Sequence, residues 1–303
     1  MSKKIHDLNI SFSIIMANYN NGAFIEVAIK SLLSQTYRNW ELIIVDDGST
    51  DNSVQIIQSF LNDNRIKLFI NKTNYGVGFS KKKGCSYASN DILGILDADD
   101  KLEKKALEII AKEYKENPEY GFIYTNMWNC DSELKNCKQN RKIGSIPNKS
   151  SIFNPIIFHF RTFRKVDYIK TSGYDPNLKS AVDKDIIYKL EEVTNFKFIN
   201  KPLYYYRHHE KGISQYKNEF QARVYHYIAK CKTYKRRLNT NLPNYTLKEL
   251  YKEYFAITLF KLRKTMKYLL KSIYGFTFLR IILKLLHHSQ IHKKIEKILN
   301  KLK

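Results

Sequence analysis

Short β-branched runs alternating with amphipathic helical stretches predict an α/β protein. It should hold a mostly parallel, Rossmann-like sheet flanked by helices, with a basic helical C-terminal region. Three observations carry this. Residues 12–16 (Phe-Ser-Ile-Ile-Met) and 42–45 (Leu-Ile-Ile-Val) have the near-continuous apolar character of strands buried on both faces. The stretch between them places Phe24, Val27, Ala28, Ser31 and Leu32 at helical spacing. The net charge of +23 is unevenly spread: residues 216–303 hold 21 Lys and Arg against 4 Asp and Glu, a balance of +17, which leaves +6 for the first 215.

Taken in order, the first strand (12–16) is followed by a helix over 23–34 and a second strand over 42–45. A helix over 51–61 comes next, with Asp51 placed to cap it. A strand at 66–70, a helix over 77–88 opened by Gly76, and a strand at 92–96 complete the alternation. Strand-helix-strand units of this length imply right-handed crossovers and parallel pairing. Beyond Asp100, the pattern predicts a helix over 103–115 ending near Asn117-Pro118, then a strand at 121–126. Residues 131–151 are polar, contain Gly144 and Pro147, and read as an exposed loop. A short helix over 183–192 precedes two edge strands at 197–199 and 203–206. From Tyr216 the period is helical except for a turn cluster at 239–244. The expected organisation is an α/β domain over 1–215 and a basic, amphipathic helical region over 216–303.

Composition excludes several classes. With 43% hydrophobic and 14% aromatic residues the chain can build a core, so global disorder is ruled out; 6 Pro and 11 Gly rule out collagen-like architectures. The four cysteines (Cys85, Cys130, Cys137, Cys231) form no C-x-x-C pair and no zinc-type spacing, which reads as reduced thiols in a cytosolic protein. No apolar core follows Met1, and no apolar run reaches the roughly 18 residues of a membrane span. The best stretch, 273–286, is broken by Arg280 and Lys284. A cytoplasmic protein is expected.

Ligands of such sheets bind outside the carboxyl ends of the strands. That rule selects Ala-Asn-Tyr-Asn-Asn-Gly at 17–22, Asp-Asp-Gly-Ser-Thr-Asp at 46–51 and Asp-Ala-Asp-Asp at 97–100. Two acidic clusters at the ends of buried strands require a positive partner, and a divalent cation with hard oxygen ligands is the natural one. Asp97 and Asp99 are alternate residues of an extended segment, so both carboxylates can face one ligand. Taken singly, each cluster is also compatible with a turn and a helix cap, the cap being Asp51 in one and Asp100 in the other.

Ile-Ile-Met-Ala-Asn-Tyr-Asn at 14–20, Ser-Gln-Thr-Tyr at 34–37, Glu-Leu-Ile-Ile-Val-Asp-Asp-Gly-Ser-Thr-Asp at 41–51 and Ile-Leu-Asp-Ala-Asp-Asp at 95–100 together resemble the inverting glycosyltransferases of family 2. The resemblance spans roughly 10–215 and implies the GT-A fold, a UDP-sugar donor and a divalent metal, manganese or magnesium. Residues 158–185 are also similar to a transferase module of bacterial chondroitin and hyaluronan synthases.

The resemblance implies roles for particular residues. Tyr19 would stack on the nucleotide base and Asp47 would accept from the uracil imide; the alternatives are core packing for Tyr19 and a turn role for Asp47. Lys81 stands where the family usually has an Arg near the nucleotide, which loses the bidentate fork. It lies in a Lys-Lys-Lys run that also reads as a solvated helix face. Asp97 would lie near the ribose. Asp99 would bind the metal, joined by His209 in preference to His208. Asp183, at the start of a helix, matches the family's catalytic base, although Val182 replaces the usual Glu before it; Asp185 is the alternative. His159, Arg161 and Arg164 are placed on a loop over the acceptor side. Trp128, just past a strand, is either a sugar-stacking ring or a core aromatic.

In the tail, Ile282, Leu285, Leu286, Ile291, Ile295, Ile298, Leu299 and Leu302 recur at helical spacing with Lys284, His287, His288, Lys294, Lys297 and Lys301 between them. Such a segment suits the surface of an anionic membrane, and equally a subdomain packed on the catalytic domain. The expected acceptor is a glycan or lipid-linked glycan of surface polysaccharide synthesis, at the inner face of the membrane. The competing reading is a non-catalytic basic protein binding membrane or nucleic acid on the same scaffold. Paired acidic clusters would repel phosphates without a metal, and no nucleic-acid motif is present, so nucleic acid is not expected as a partner.

Overall fold

The computed structural model describes residues 10–146, 151–152, 155–210, 212–213 and 218–237. The chain divides into two compact units, Met1–His226 and Tyr227–Lys303. The amphipathic pattern around Ile282 to Leu302 lies outside the described residues.

The first unit is built on one sheet. Four strands, β1 (Phe12–Asn18), β2 (Trp40–Asp46), β3 (Ile66–Ile70) and β4 (Ile92–Ile95), pair in parallel in the order β3-β2-β1-β4. The helices α1 (Ile25–Leu33), α2 (Ser53–Gln58) and α3 (Val77–Tyr87) make the crossovers. Phe12, Ile14, Ile15, Leu42, Ile43, Ile44, Val45, Ile92, Leu93 and Ile95 are all buried, as the unbroken apolar runs require of strands covered on both faces. Each fully buried side chain of this kind stabilises the fold by roughly 1.5–3 kcal/mol. Helix α3 packs so close to the sheet that a Cβ on Gly84 would lie 2.6 Å from Ile15 Cγ2.

Because β1 sits between β2 and β4, the crossover from β3 to β4 passes over two strands. This puts the topological switch point between β1 and β4, and so opens the crevice where Asn18 and Asp97 leave their strands.

Beyond β4 come the two-residue β5 (Lys101–Leu102), α4 (Ala106–Glu116), β6 (Tyr120–Cys130) and the short β7 (Lys138–Gln139). They are followed by β8 (Arg161–Arg164), α5 (Lys165–Tyr168), α6 (Val182–Leu190), β9 (Asn195–Arg207) and α7 (Glu219–Arg237). The sheet continues β4-β8-β6-β9-β5, with β8 antiparallel to both neighbours and β9 parallel to β6.

Several expectations are corrected here. Residues 161–164 form a strand in the middle of the sheet, not a loop, and Arg164 leaves the crevice to donate to Tyr120 O and lie over the Tyr114 ring. The two expected edge strands are one 13-residue strand lying between β6 and β5. Its polar Asn200, Lys201 and Pro202 hid the continuity, and its register against β6 is irregular just there.

Trp128 lies within β6, half-buried and opposite Gln139 and Tyr205. Within the polar stretch after it, β7 folds back on β6, and Cys130 and Cys137 are joined by a disulfide instead of remaining reduced. Asp51 serves its helix from outside the cap position, its carboxylate accepting from Ser53 N and from Gly22 N. Asp100 is no cap; it is buried and bonded by Tyr204 Oη and Arg207 N. Among the described residues no helix is long and apolar enough to cross a membrane.

Candidate active site

The floor of the crevice is made by the two acids at the end of β2, Asp46 and Asp47. Asp46 is a turn builder: its carboxylate accepts from Asn18 Nδ2 (2.7 Å), Ser49 N (2.9 Å) and Ser49 Oγ (2.6 Å). Asp47 accepts from Asn71 Nδ2 (2.8 Å), Tyr75 N (3.0 Å) and Gly76 N (2.7 Å), while its own amide donates to Asn18 O. A carboxylate offers about four lone-pair directions, so these three bonds orient Asp47 and leave it the capacity to accept one more. Gly76, at φ 95°, supplies the left-handed backbone that turns its amide onto this carboxylate.

Beside Asp47, Tyr19 is 44% exposed, which removes the core-packing alternative. Its neighbour Asn20 takes a left-handed conformation, and its side-chain oxygen accepts from Thr50 N. An open ring is thus carried on a rigid turn.

The acids after β4 divide into three environments. Asp99 is partly open, and its Oδ2 lies 2.8 Å from His209 Nε2. Phe24 packs against the His209 ring at 4.7 Å, and Arg207, lying over Phe24, donates to Asp99 O. His208 is exposed and points toward Asn129. The structure therefore joins His209, not His208, to Asp99. Asp100 is pushed well above the usual carboxylate range by burial and by the neighbouring charges of Asp99 and Asp97.

Asp97 belongs to a different group. Lys81 Nζ lies 3.0 Å from Asp97 Oδ1 and 3.0 Å from Asp183 Oδ1. Arg161 Nη2 lies 3.2 Å from Asp183 Oδ2 and 3.2 Å from His159 Nδ1, and His159 Nε2 faces Asp97 Oδ2 at 3.7 Å. The five side chains close a ring: Lys81, Asp97, His159, Arg161, Asp183 and back to Lys81. They come from α3, the end of β4, the entry to β8 and the first turn of α6.

Burial in this ring would raise the Asp183 carboxyl, but Arg161 and Lys81 outweigh it and hold it well below the usual carboxylate range. Asp97 is likewise lowered against its burial, first by Lys81. Burial and the adjacent Arg161 push His159 down to about 3, so the imidazole stays neutral, stacked against Tyr204 (4.6 Å) and Tyr206 (5.4 Å).

Two sequence readings change. Lys81 is buried, not part of a solvated face; only its neighbour Lys82 is exposed. The signal was present, since Gly78, Lys81, Gly84 and Cys85 mark one buried stripe of α3. His159 and Arg161 are buried at the start of β8 and face Asp97 and Asp183 instead of lying on an exposed loop. Asp185, the alternative base, is fully buried and paired with Lys189 at 2.6 Å, whereas the Asp183 side chain keeps 25% exposure. Trp128 lies on β6, paired in register with Tyr205 of β9.

Among the described residues, two places offer metal-ligand chemistry. Asp99 and His209 bring a carboxylate oxygen and an imidazole nitrogen together at a partly open edge, a donor set that fits a divalent ion with coordination positions left for substrate oxygens. Asp97, Asp100 and His159 also bring three ligand atoms within 4.8 Å of one another. There the Lys81 ammonium already neutralises Asp97, Arg161 sits on His159, and Asp100 has both oxygens bonded, so a second cation would meet repulsion.

The family model for glycosyl transferase family 2 matches residues 13–177. The chain is 34% identical over 194 residues to the chondroitin synthase of Escherichia coli, covering 63% of this chain and 28% of that one. It spans between 20% and 28% of the chondroitin and hyaluronan synthases it resembles. Among solved structures, S. aureus TarS 1–349 in complex with UDP-GlcNAc superposes with a TM-score of 0.68 at 21% identity, over 82% of this chain and 72% of that one. A mannosyltransferase from Pyrobaculum calidifontis in complex with GDP-Man and Mn2+ superposes with a TM-score of 0.57 at 13% identity, over 97% and 85% of the two chains. The fold is GT-A-like.

Proposed function

The chain belongs to glycosyl transferase family 2, and from that membership we propose that it moves a sugar from a UDP-sugar, with inversion, to a hydroxyl of a glycan or lipid-linked glycan in surface polysaccharide synthesis. The observation that carries the reading is the lining of one crevice. An exposed ring (Tyr19) and an oriented carboxylate (Asp47) stand at one end, an Asp99–His209 pair at its edge, and Asp183 beyond Asp97.

In this reading Tyr19 stacks on the uracil, Asp47 accepts from its imide N–H, and Asp97 lies near the ribose. Asp99 and His209 would hold the divalent metal, which would supply positive charge to offset that of the leaving diphosphate. Asp183 takes the proton of the acceptor hydroxyl as that oxygen forms its bond to the anomeric carbon. The bond from that carbon to the diphosphate oxygen breaks on the opposite face, and the diphosphate leaves with the electron pair. Manganese is the metal present with the mannosyltransferase relative, and it is the first to try here.

The test is a thermal-shift screen of the full chain against nucleoside diphosphates and UDP-sugars, each with manganese and with chelator. UDP compounds are expected to raise Tm only with metal, and their rank order selects the sugar. No shift with any nucleotide would overturn the donor assignment.

A further inference from the structure

We propose that Lys81 is a positioning residue for Asp183, tying the proton acceptor on the acceptor side to Asp97 on the donor side through one buried ammonium. The proposal rests on the reading of Asp183 as the base. Lys81 Nζ stands 3.0 Å from one oxygen of each carboxylate. It is itself only 2% exposed, so the pairing is shielded from solvent. A lysine ammonium is a compact charge with three donors, and here two of them join residues far apart in sequence: one from the end of β4, the other from the first turn of α6.

The other face of Asp183 is fixed independently by Arg161. With both oxygens engaged, the carboxylate has one orientation relative to Asp97, and therefore to a donor bound there. The backbone leading into Asp183 is constrained as well, since Ala181 opens α6 in the left-handed conformation at φ 58°. Lys184 Nζ, the next residue's terminus, is anchored on Ile157 O at 2.6 Å, which holds the strand entry carrying His159 and Arg161 against the same helix turn.

A lysine that simply bound nucleotide would change donor affinity when removed. A lysine that positions Asp183 changes turnover and the protonation of that carboxylate. The charged and titratable groups facing Asp183 are Lys81, Arg161, His159 and Tyr174, with Asp97 across the ring. Neutralising Lys81 removes one of the two cations that keep Asp183 ionised.

The experiment uses the full chain as wild type, Lys81→Met, Lys81→Gln, Lys81→Arg and Asp183→Asn. UDP binding with manganese is measured by calorimetry. The Asp183 carboxyl is followed by carbon-13 NMR from pH 7 down to about pH 2, its resonance assigned by its loss in D183N. UDP release is followed with the UDP-sugar selected above and chondroitin oligosaccharide as acceptor.

The expected result in K81M and K81Q is UDP affinity within about threefold of wild type, a carboxyl midpoint raised by about one pH unit or more, and kcat reduced about 100-fold. K81R, which keeps the cation, should hold the midpoint near its wild-type position. Lys81→Gln retains a hydrogen-bonding terminus, so a packing defect confined to K81M does not decide the outcome. An unmoved Asp183 midpoint in both neutral variants, or loss of UDP binding with kcat intact, overturns the proposal. Full turnover in D183N would instead overturn the base assignment, leaving the NMR result to judge the contact by itself.

Discussion

The contrast between Asp183 and Asp185 shows how placement, not residue type, divides the roles of two acids on one helical turn. Asp185 is closed off against Lys189; Asp183 faces two cations and solvent. Asp183→Asn is expected to reduce kcat by about 100-fold or more while sparing UDP binding, as loss of a general base does. Full activity would return the role to Asp185.

The sign of the pH dependence follows from the lowered Asp183. A base loses function as it is protonated, and Lys81 and Arg161 push that event to lower pH. The free-enzyme profile of kcat/KM should therefore lack an acid limb between pH 7 and 5, where an ordinary carboxylate begins to protonate. A midpoint inside that window would mean the two cations do not hold Asp183.

At the edge of the crevice, Asp99→Asn and His209→Ala should each weaken manganese-dependent UDP affinity about tenfold or more, with little change in chelator. Equal losses with and without metal would move the ion elsewhere. Most of these residues were legible because strand ends concentrate function. The Lys81–Asp183 contact was not, since 102 residues separate its partners and a run of three lysines reads locally as a solvated face.

At the scale of elements, one buried acid stitches the parallel half of the sheet. Glu41 on β2 accepts from the Ser13 hydroxyl on β1, from Lys67 on β3 (2.8 Å) and from Ser89 N and Oγ (both 2.7 Å) ahead of β4. Burial would raise Glu41, yet Lys67 and the Ser13 and Ser89 donors overrule it and bring it from 4.5 to about 2. A lowered acid contributes stability that is complete above its unfolded value and fades as pH falls toward its folded one. Glu41→Gln should thus cost about 2 kcal/mol at pH 7, with the gap to wild type closing between pH 4.5 and 2 in denaturant melts. A constant gap across that range would mean packing, not charge, holds the strands.

Strands β1, β2 and β4 were readable from their apolar runs because burial on both faces leaves no polar alternation. Strand β8 was not. Arg-Thr-Phe-Arg looks like a surface turn until Arg161 finds Asp183, Thr162 bonds Ile123 O, and Phe163 lies beside Phe122. Its polar groups are satisfied only by partners distant in sequence, which no local pattern announces. The disulfide escaped for a similar reason: Cys130 and Cys137 are neighbours because β6 turns back through β7, not because their spacing marks a motif.

At the scale of the whole molecule, charge is partitioned more sharply than fold. Residues 1–215 carry +6 and include the acidic strand ends that line the crevice; residues 216–303 carry +17 in 88 residues. A segment that basic gains about 1 kcal/mol per Lys or Arg placed near an anionic leaflet, and the gain decays over a Debye length of about 8 Å at physiological salt. We propose that the C-terminal region holds the enzyme at an anionic membrane, where a lipid-linked acceptor would be presented. The full chain should sediment with phosphatidylglycerol vesicles and not with phosphatidylcholine vesicles, and raising NaCl should release it. Replacing Lys284, Lys294, Lys297 and Lys301 with Gln should weaken that binding by about 4 kcal/mol, close to a thousandfold. Turnover on a soluble acceptor should stay unchanged, because these positions lie outside the catalytic residues. Equal binding to neutral vesicles, or binding insensitive to both salt and the four substitutions, would assign the lysines to solvation alone and leave acceptor presentation to some other part of the chain.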